Sequence, residues 1–236
     1  MPAGSGVGDV AVVIPARNEA DRIAATVTAA AGLAGVGLVV VVDDGSGDGT
    51  GTVARGAGAV VMRHARNRGK AAAMQTGADA VSLVDQRERR EQPRHLLFLD
   101  ADLAESTAQA GPLTVPVVAG TADMTIAVFT ATVKLGGHGL VVGLSGAGIR
   151  RSVGWRPVQP LNGQRCLTRA AFEAARPLAP GWGVETALTI DLLRKGLRVT
   201  EVEVELAHRA TGTGLQAQLH RARQLRDVAR ALATRL

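Results

Sequence analysis

The first hundred residues alternate unbroken apolar runs with stretches of helical period, and this alternation limits the possible folds more than any other feature. Val10–Ile14, Leu38–Val42, Ala59–Met62 and His95–Leu99 read as four short strands, apolar almost throughout. Between them come a helix over Ala20–Ala31, a short helix over Thr52–Arg55 and an Ala-rich helix over Lys70–Val84. In the first of these Ile23 and Val27 stand four apart, with Asn18 or Asp21 available as a cap. The charged stretch Asp85–Arg94 reads as a solvated loop or a frayed helix end. Strands without a polar face, separated by helices, belong to a parallel sheet covered on both sides. The expected class is α/β.

The second half is less regular. Asp123–Phe129 reads as a strand, Lys134–Ile149 as a Gly-rich loop with a short helix, and Gly163–Leu167 as a strand leading into a helix at Ala170–Ala175. Val184–Lys195 is a helix stopped at Gly196. Arg198–His208 alternates Val202, Val204 and Leu206 with Glu201, Glu203 and Glu205, the period of a strand with one wet face. Leu215, Leu219, Ala222, Leu225, Ala229 and Leu232 share one face of a C-terminal helix whose other face carries arginines. With no repeat and no linker, a single domain over residues 1–236 is expected.

Composition narrows the function. A hydrophobic fraction of 46% excludes a disordered chain, and the one cysteine, Cys166, excludes a disulfide scaffold and reads as a small core residue. No run of eighteen uncharged apolar residues is present, so no membrane span is expected. Met1–Gly8 lacks a basic start followed by an apolar run, so no secretion signal is expected and the cytoplasm is the expected compartment. The net charge is +6, and Lys70, Lys134 and Lys195 are the only lysines among 27 Lys and Arg. An Arg-rich cationic chain suits nucleic acid, anionic lipid or phosphorylated small molecules. With no Tyr, three Phe and two Trp it lacks stacking platforms, which sets nucleic acid aside.

Parallel sheets bind ligands at the carboxyl ends of their strands. Here the four strand ends carry Pro15-Ala-Arg-Asn-Glu19, Asp43-Asp44, Arg66-Asn-Arg-Gly-Lys70 and Asp100-Ala-Asp102. Taken alone, Asp48 is a turn residue. Gly45–Gly51 fails as a dinucleotide loop, because Thr50 and Thr52 stand where the G-x-G-x-x-G spacing needs glycine and the run follows the second strand rather than the first. Gly143-Leu-Ser145-Gly only approximates a nucleophile elbow. Asp100 and Asp102, one residue apart after an apolar strand, can face one hard divalent cation such as Mg²⁺ or Mn²⁺.

Val12-Val-Ile-Pro-Ala-Arg-Asn-Glu19, Val41-Val-Asp-Asp-Gly-Ser-Gly-Asp-Gly-Thr50, Asn67-Arg-Gly-Lys70 and Phe98-Leu-Asp-Ala-Asp-Leu103 resemble, in order and spacing, the nucleotide-sugar half of family-2 type glycosyltransferases. Gln159-Pro-Leu-Asn-Gly163, Ala179-Pro-Gly-Trp-Gly-Val-Glu185 and His208-Arg209 resemble the acceptor side of glucosyl-3-phosphoglycerate synthases. Polyprenyl-phosphate sugar synthases, of the dolichyl-phosphate mannose synthase kind, are similar over the first half. The resemblance implies a GT-A fold, Rossmann-like, with a mixed and mainly parallel sheet flanked by helices. Residues 1–105 would hold the nucleotide sugar and 106–236 the acceptor.

It also implies roles. Pro15, Ala16 and Glu19 would border the nucleobase and ribose, and Asp44 with Asp43 would accept from the base, most naturally the imide N–H of uracil. Gly69 and Lys70 would approach the nucleotide. Asp100, Ala101 and Asp102 would lie at the diphosphate, with Asp102 in direct metal contact and His208 completing the metal's shell. Glu185 would face the sugar or acceptor; for a hydroxyl acceptor it is the candidate general base, whereas an ionised phosphate acceptor needs none. Each has a plainer reading: His208 as a strand-end histidine, Glu185 as an acid favoured by a helix N-terminus, Trp182 as core filler rather than a platform for the sugar. Arg150, Arg151, Arg156 and Arg165 fall where an acceptor would sit and favour an anionic one, a small phosphorylated acid or a lipid phosphate. Gly163-Gln164-Arg165 departs from the phosphoglycerate-specific pattern.

The function expected is metal-dependent sugar transfer from a UDP- or GDP-sugar to that acceptor. A sugar-1-phosphate nucleotidyltransferase would want a Gly-rich basic loop where Pro15–Glu19 stands, and a non-catalytic sugar-nucleotide-binding protein is the remaining alternative. The basic C-terminal helix leaves peripheral contact with an anionic membrane open, though packing on the domain is its default. A homodimer is compatible with these residues.

Overall fold

The run of valines that opens the chain is buried on both sides. Val10, Ala11, Val12, Val13 and Ile14 are inaccessible to solvent and form most of β1 (Val10–Ala16). The computed structural model describes residues 8–130, 139–206 and 215–236, with the side chains of 215–221 set apart. The further strands are β2 (Val36–Asp43), β3 (Val60–Arg63), β4 (His95–Phe98), β5 (Met124–Phe129), β6 (Arg165–Leu167) and β7 (Val199–Val204). The helices are α1 (Ala20–Ala31), α2 (Thr50–Gly56), α3 (Lys70–Arg87), α4 (Val115–Val118), α5 (Gly139–Val153), α6 (Arg169–Ala174), α7 (Val184–Arg194) and α8 (Leu215–Ala233), with 3₁₀ segments at Ala104–Leu113 and Gly181–Gly183.

All seven strands lie in one sheet of order β3-β2-β1-β4-β6-β5-β7. Pairing is parallel between β1 and β2, β1 and β4, β2 and β3, and β5 and β7. It is antiparallel on both sides of β6, which therefore runs against all its companions. The mixed, mainly parallel sheet flanked by helices is the one expected.

Alternation along β1 feeds two apolar layers. Val10, Val12 and Ile14 pack with Ile23 and Val27 of α1, while Ala11 and Val13 pack with Met74, Ala78 and Val81 of α3. Helix α3 approaches so closely that a Cβ on Gly77 would fall 2.3 Å from Val13 Cγ1. A third apolar cluster joins α5, α7 and α8 through Val141, Ile149, Ile190, Val228 and Leu232.

Several expectations need correction. Asp85 and Arg94 are not solvated: both are buried and joined at 2.6 Å, and Arg94 Nε also donates to Gly8 O. The pair secures the turn from α3 into β4. From residue 139 onward the supposed loop is helix α5, whose small residues let α8 approach; a Cβ on Gly148 would lie 2.3 Å from Leu232 Cδ2. Ser145 is buried inside that helix, 2.7 Å from Thr186 Oγ1, and serves packing. Neither Asn18 nor Asp21 caps α1; instead Ala20 N donates to Asp48 Oδ2 across 3.1 Å, so the Gly-rich loop of the next unit supplies the cap. Asp48 Oδ1 also accepts from Thr50 N, the turn role expected of it. On α8 the buried stripe is Val228, Ala231 and Leu232, whereas Leu225 and Ala229 are exposed. Leu215 and Leu219 lie outside the described side chains. The buried face of α8 rests on α5 and α7, which is the default packing expected. No helix among the described residues is long and apolar enough to cross a membrane.

Candidate active site

The carboxyl ends of β1 and β2 and the turn into α3 open onto a cleft of about 390 Å³. Pro15, Ala16 and Arg17 form one wall, Asp44, Asn67, Gly69, Lys70 and Ala73 another, and Gly181 with Trp182 close it from the far half of the chain. Three of the four first-half motifs and the Pro-Gly-Trp-Gly segment thus meet at one place.

Asp44 builds the middle wall. Its Oδ1 accepts from Arg68 N at 2.8 Å and lies 2.7 Å from His64 Nδ1, while its Oδ2 accepts from Gly69 N at 2.8 Å. His64 is itself held at its other nitrogen, 2.9 Å from Thr76 Oγ1 of α3. Burial pushes the Asp44 carboxyl up, but the hydrogen bonds from His64, Arg68 and Gly69 outweigh it and hold the group below its ordinary 3.8. The bound turn puts Gly69 at φ +86°, a conformation open to glycine at no steric cost, immediately before α3 begins at Lys70.

Lys70 Nζ lies 2.8 Å from Asp100 Oδ1 and 3.2 Å from Glu185 Oε1. Burial would lower the pKa of this ammonium; the charges of Asp100 and Glu185, with a hydrogen bond to each, overcome that and raise it well above the usual lysine range. Lys70 is therefore a fixed cation at neutral pH. Gln164 Nε2 donates to the other oxygen of Asp100 at 2.8 Å. Glu185 is buried in the first turn of α7, and its carbonyl accepts from Arg165 Nη1 at 3.0 Å. Asp102 is half-buried, with its carbonyl taking Arg22 Nη1 at 3.3 Å. Lys70, Asp100 and Glu185, predicted from three separate motifs, are brought together.

Other predicted residues are placed elsewhere. Asp43 is buried beneath the Gly-rich loop, where Oδ1 accepts from Ser46 N at 2.8 Å and Oδ2 faces Gly51; it shapes the loop and does not reach the cleft. Glu19 stands at the head of α1, its N–H on Thr50 Oγ1, outside the cleft wall. Ala101 is buried and its carbonyl accepts from Thr26 Oγ1 at 2.8 Å, so it pins the strand end to α1. Arg165 is a correction: at 1% exposure it faces no acceptor. Its guanidinium donates to Asn162 O, Glu185 O, Thr189 Oγ1 and Pro160 O, tying the segment before β6 to α7, and burial lowers its pKa to about 10, still cationic at neutral pH. Arg150 and Arg156 are exposed and line a separate cleft of about 290 Å³ with Gly143, Gly146 and Pro157. Cys166 is buried, which pushes its thiol up and confirms a core role. His208 lies outside the described residues.

Sequence reasoning missed His64, Gly163 and Gln164 as parts of the site. Gly163 carried a signal as the last residue of the Gln159-Pro-Leu-Asn-Gly segment and Gln164 as part of the departure that follows it; His64 carried none.

The site suits a divalent cation on its donor chemistry. Carboxylate oxygens are hard ligands; Asp100 and Glu185 flank the one ammonium, and Asp102 follows Asp100 by two residues. Among the described residues no group of three or more His, Cys, Asp or Glu side chains is gathered for an ion. Asp100 and Asp102 would thus supply the described protein ligands, with phosphate oxygens of a substrate making up the rest.

The sequence profile of "Glycosyl transferase family 2" matches residues 11–137. No curated protein sequence is a match. Among solved structures, glucosyl-3-phosphoglycerate synthase from Mycobacterium tuberculosis in complex with phosphoglyceric acid is 25% identical with a TM-score of 0.76, covering 97% of this chain and 80% of that one. The same synthase with Mn²⁺, UDP-glucose and phosphoglyceric acid is 26% identical with a TM-score of 0.74, covering 97% and 79%. Its complex with Mg²⁺ and UDP, at 24% identity and a TM-score of 0.71, adds a likeness of fold.

Proposed function

Since the chain belongs to glycosyl transferase family 2, we propose that it moves a sugar from a UDP-sugar to a small phosphorylated acid, with Mg²⁺ or Mn²⁺ bound at Asp100 and Asp102. The observation that carries this reading is the Lys70–Asp100–Glu185 cluster, set beside a cleft whose walls come from both halves of the chain. Support for donor and acceptor classes comes from the synthase that binds UDP-glucose, Mn²⁺ and phosphoglyceric acid and shares the fold.

The bond to the anomeric carbon breaks as negative charge builds on the departing nucleoside diphosphate. A bound divalent cation supplies Lewis-acid stabilisation of that charge. Lys70 adds a fixed positive charge, held by Asp100 and Glu185 without needing to reorganise during the reaction. Asp44 keeps the turn before α3 in place, so that Gly69 presents backbone rather than a side chain to the nucleotide. Trp182, exposed at the rim, offers a flat face to the base or sugar. Glu185 takes the proton from the acceptor hydroxyl as it attacks, its Oε1 positioned 3.2 Å from Lys70 Nζ.

The test is turnover of UDP-glucose with Mn²⁺ and 3-phosphoglycerate, compared with GDP- and ADP-sugars, with glycerate and with polyprenyl phosphate. The phosphorylated acid should be glycosylated and glycerate should be poor. Transfer only to polyprenyl phosphate would overturn the acceptor class, and turnover unaffected by EDTA would overturn the metal. Glu185→Gln should lower kcat by about 10²-fold or more on a hydroxyl acceptor, the scale of general-base catalysis, with KM for the donor little changed.

A further inference from the structure

Asp100 is held from two directions. Lys70 Nζ takes Oδ1 and the amide of Gln164 takes Oδ2, each at 2.8 Å. Gln164 is wholly buried, and the other end of its amide, Oε1, is buried with no hydrogen-bond partner. Turning the amide over would not help, because it would set oxygen against carboxylate oxygen. An unmatched acceptor in the interior costs stability, and an apolar side chain of equal length would avoid that cost. The backbone nevertheless delivers this amide firmly. Gln164 N donates to Asn162 Oδ1, and Gln164 O accepts from Ala127 N of β5, both at 3.0 Å. Gly163 leaves space for the pair that the amide supports: a Cβ there would lie 2.3 Å from Lys70 Nζ.

We infer that Gln164 is a positioning residue of the donor site, fixing the plane of the Asp100 carboxylate through a neutral donor. Neutrality matters. Asp100 already shares its charge with Lys70, and a second cation at Oδ2 would cancel the field that draws a divalent ion. An amide orients the carboxylate and leaves its charge in place. The assignment rests on the metal-dependent reading above and adds to it a residue that need touch neither substrate nor ion.

The test is calorimetry of UDP binding to the full chain, once with Mn²⁺ and once with EDTA, for the unmodified protein, Gln164→Met and Gln164→Asn. Gln164→Met removes the stranded oxygen along with the donor, so its Tm should equal or exceed that of the unmodified chain. Both variants should bind UDP in EDTA as the unmodified chain does, yet lose about tenfold of the affinity seen with Mn²⁺, the usual scale for a residue that orients a metal ligand. Gln164→Asn keeps a polar side chain and serves if Gln164→Met does not fold. Unchanged affinity with Mn²⁺, or equal losses in both arms, would overturn the assignment. If the unmodified chain gains nothing from Mn²⁺, the metal-dependent reading fails and this one falls with it.

Discussion

With both carboxylate oxygens of Asp44 engaged by Arg68 N, Gly69 N and His64, a proton added to this side chain displaces a donor from the turn that leads into α3. Its pKa is lower in the fold than its ordinary 3.8, so the unfolded chain takes up the proton first as pH falls. The stabilisation is therefore present above about pH 4 and is lost on acidification through the lowered folded value. Asp44→Asn should give a protein less stable at neutral pH whose Tm depends less steeply on pH in the acid range, read by thermal unfolding across a pH series. Asp44 was legible from its strand end, and His64 was not. Twenty residues separate the two, and only the parallel pairing of β2 with β3 brings them together. Arg165 misled for the opposite reason. Arginine is the default cation of this chain, and a strand of three residues is too short to show by its period which way a side chain turns.

Helix α3 shows what a pattern can and cannot disclose about an element. Its start follows from Gly69 and the turn that Asp44 holds, and its alanines allow close approach to the sheet. Its end was read three residues early, because the charges at Asp85 and Arg87 look like solvent and Asp85 is in fact paired inside with Arg94. Gly77 sets the distance between α3 and β1. Gly77→Ala should gain helix propensity yet lose overall by about 1–3 kcal/mol of overpacking against Val13 and Val42, measured as a fall in denaturation midpoint. The 3₁₀ segment Ala104–Leu113 and α4 had no readable signal, since Pro112 and Pro116 interrupt any helical period.

At the scale of the molecule, strands from residues 10–98 and 124–204 share one sheet, while α5, α7 and α8 form a cluster of their own beside it. Helix α8 also braces the cleft. Trp182 N donates to Asp227 Oδ2 at 3.3 Å, and Gly181 and Gly183 lie against Asp227 with no room for a Cβ. Arg235 pins the end of the helix to Asp191 of α7 at 2.6 Å. Leu232→Ala should cost about 2–5 kcal/mol as a cavity opens against Gly148, and hydrogen exchange should quicken in α8 and α5 before β1 or β2. The KM for the donor should rise with it, because the Trp182 wall loses its brace. The alternation of strands and helices made the first half legible. Most elements of the second half were legible too, but the direction of β6 was not, because a reversed strand leaves no mark in a sequence: β6 has the same residue types in either direction.

That reversal decides which stretches of chain can furnish the binding rim. Six strands bring their exits to it and β6 brings its entrance, so the connection ahead of β6 arrives face to face with the turn after β4. Such a connection is open to replacement on its own, because no helix has to be threaded back across the sheet to accommodate it. Divergence in this class of enzyme can therefore exchange residues 154–161 and alter selectivity while Gly163 and Gln164 keep their places beside Lys70 and Asp100.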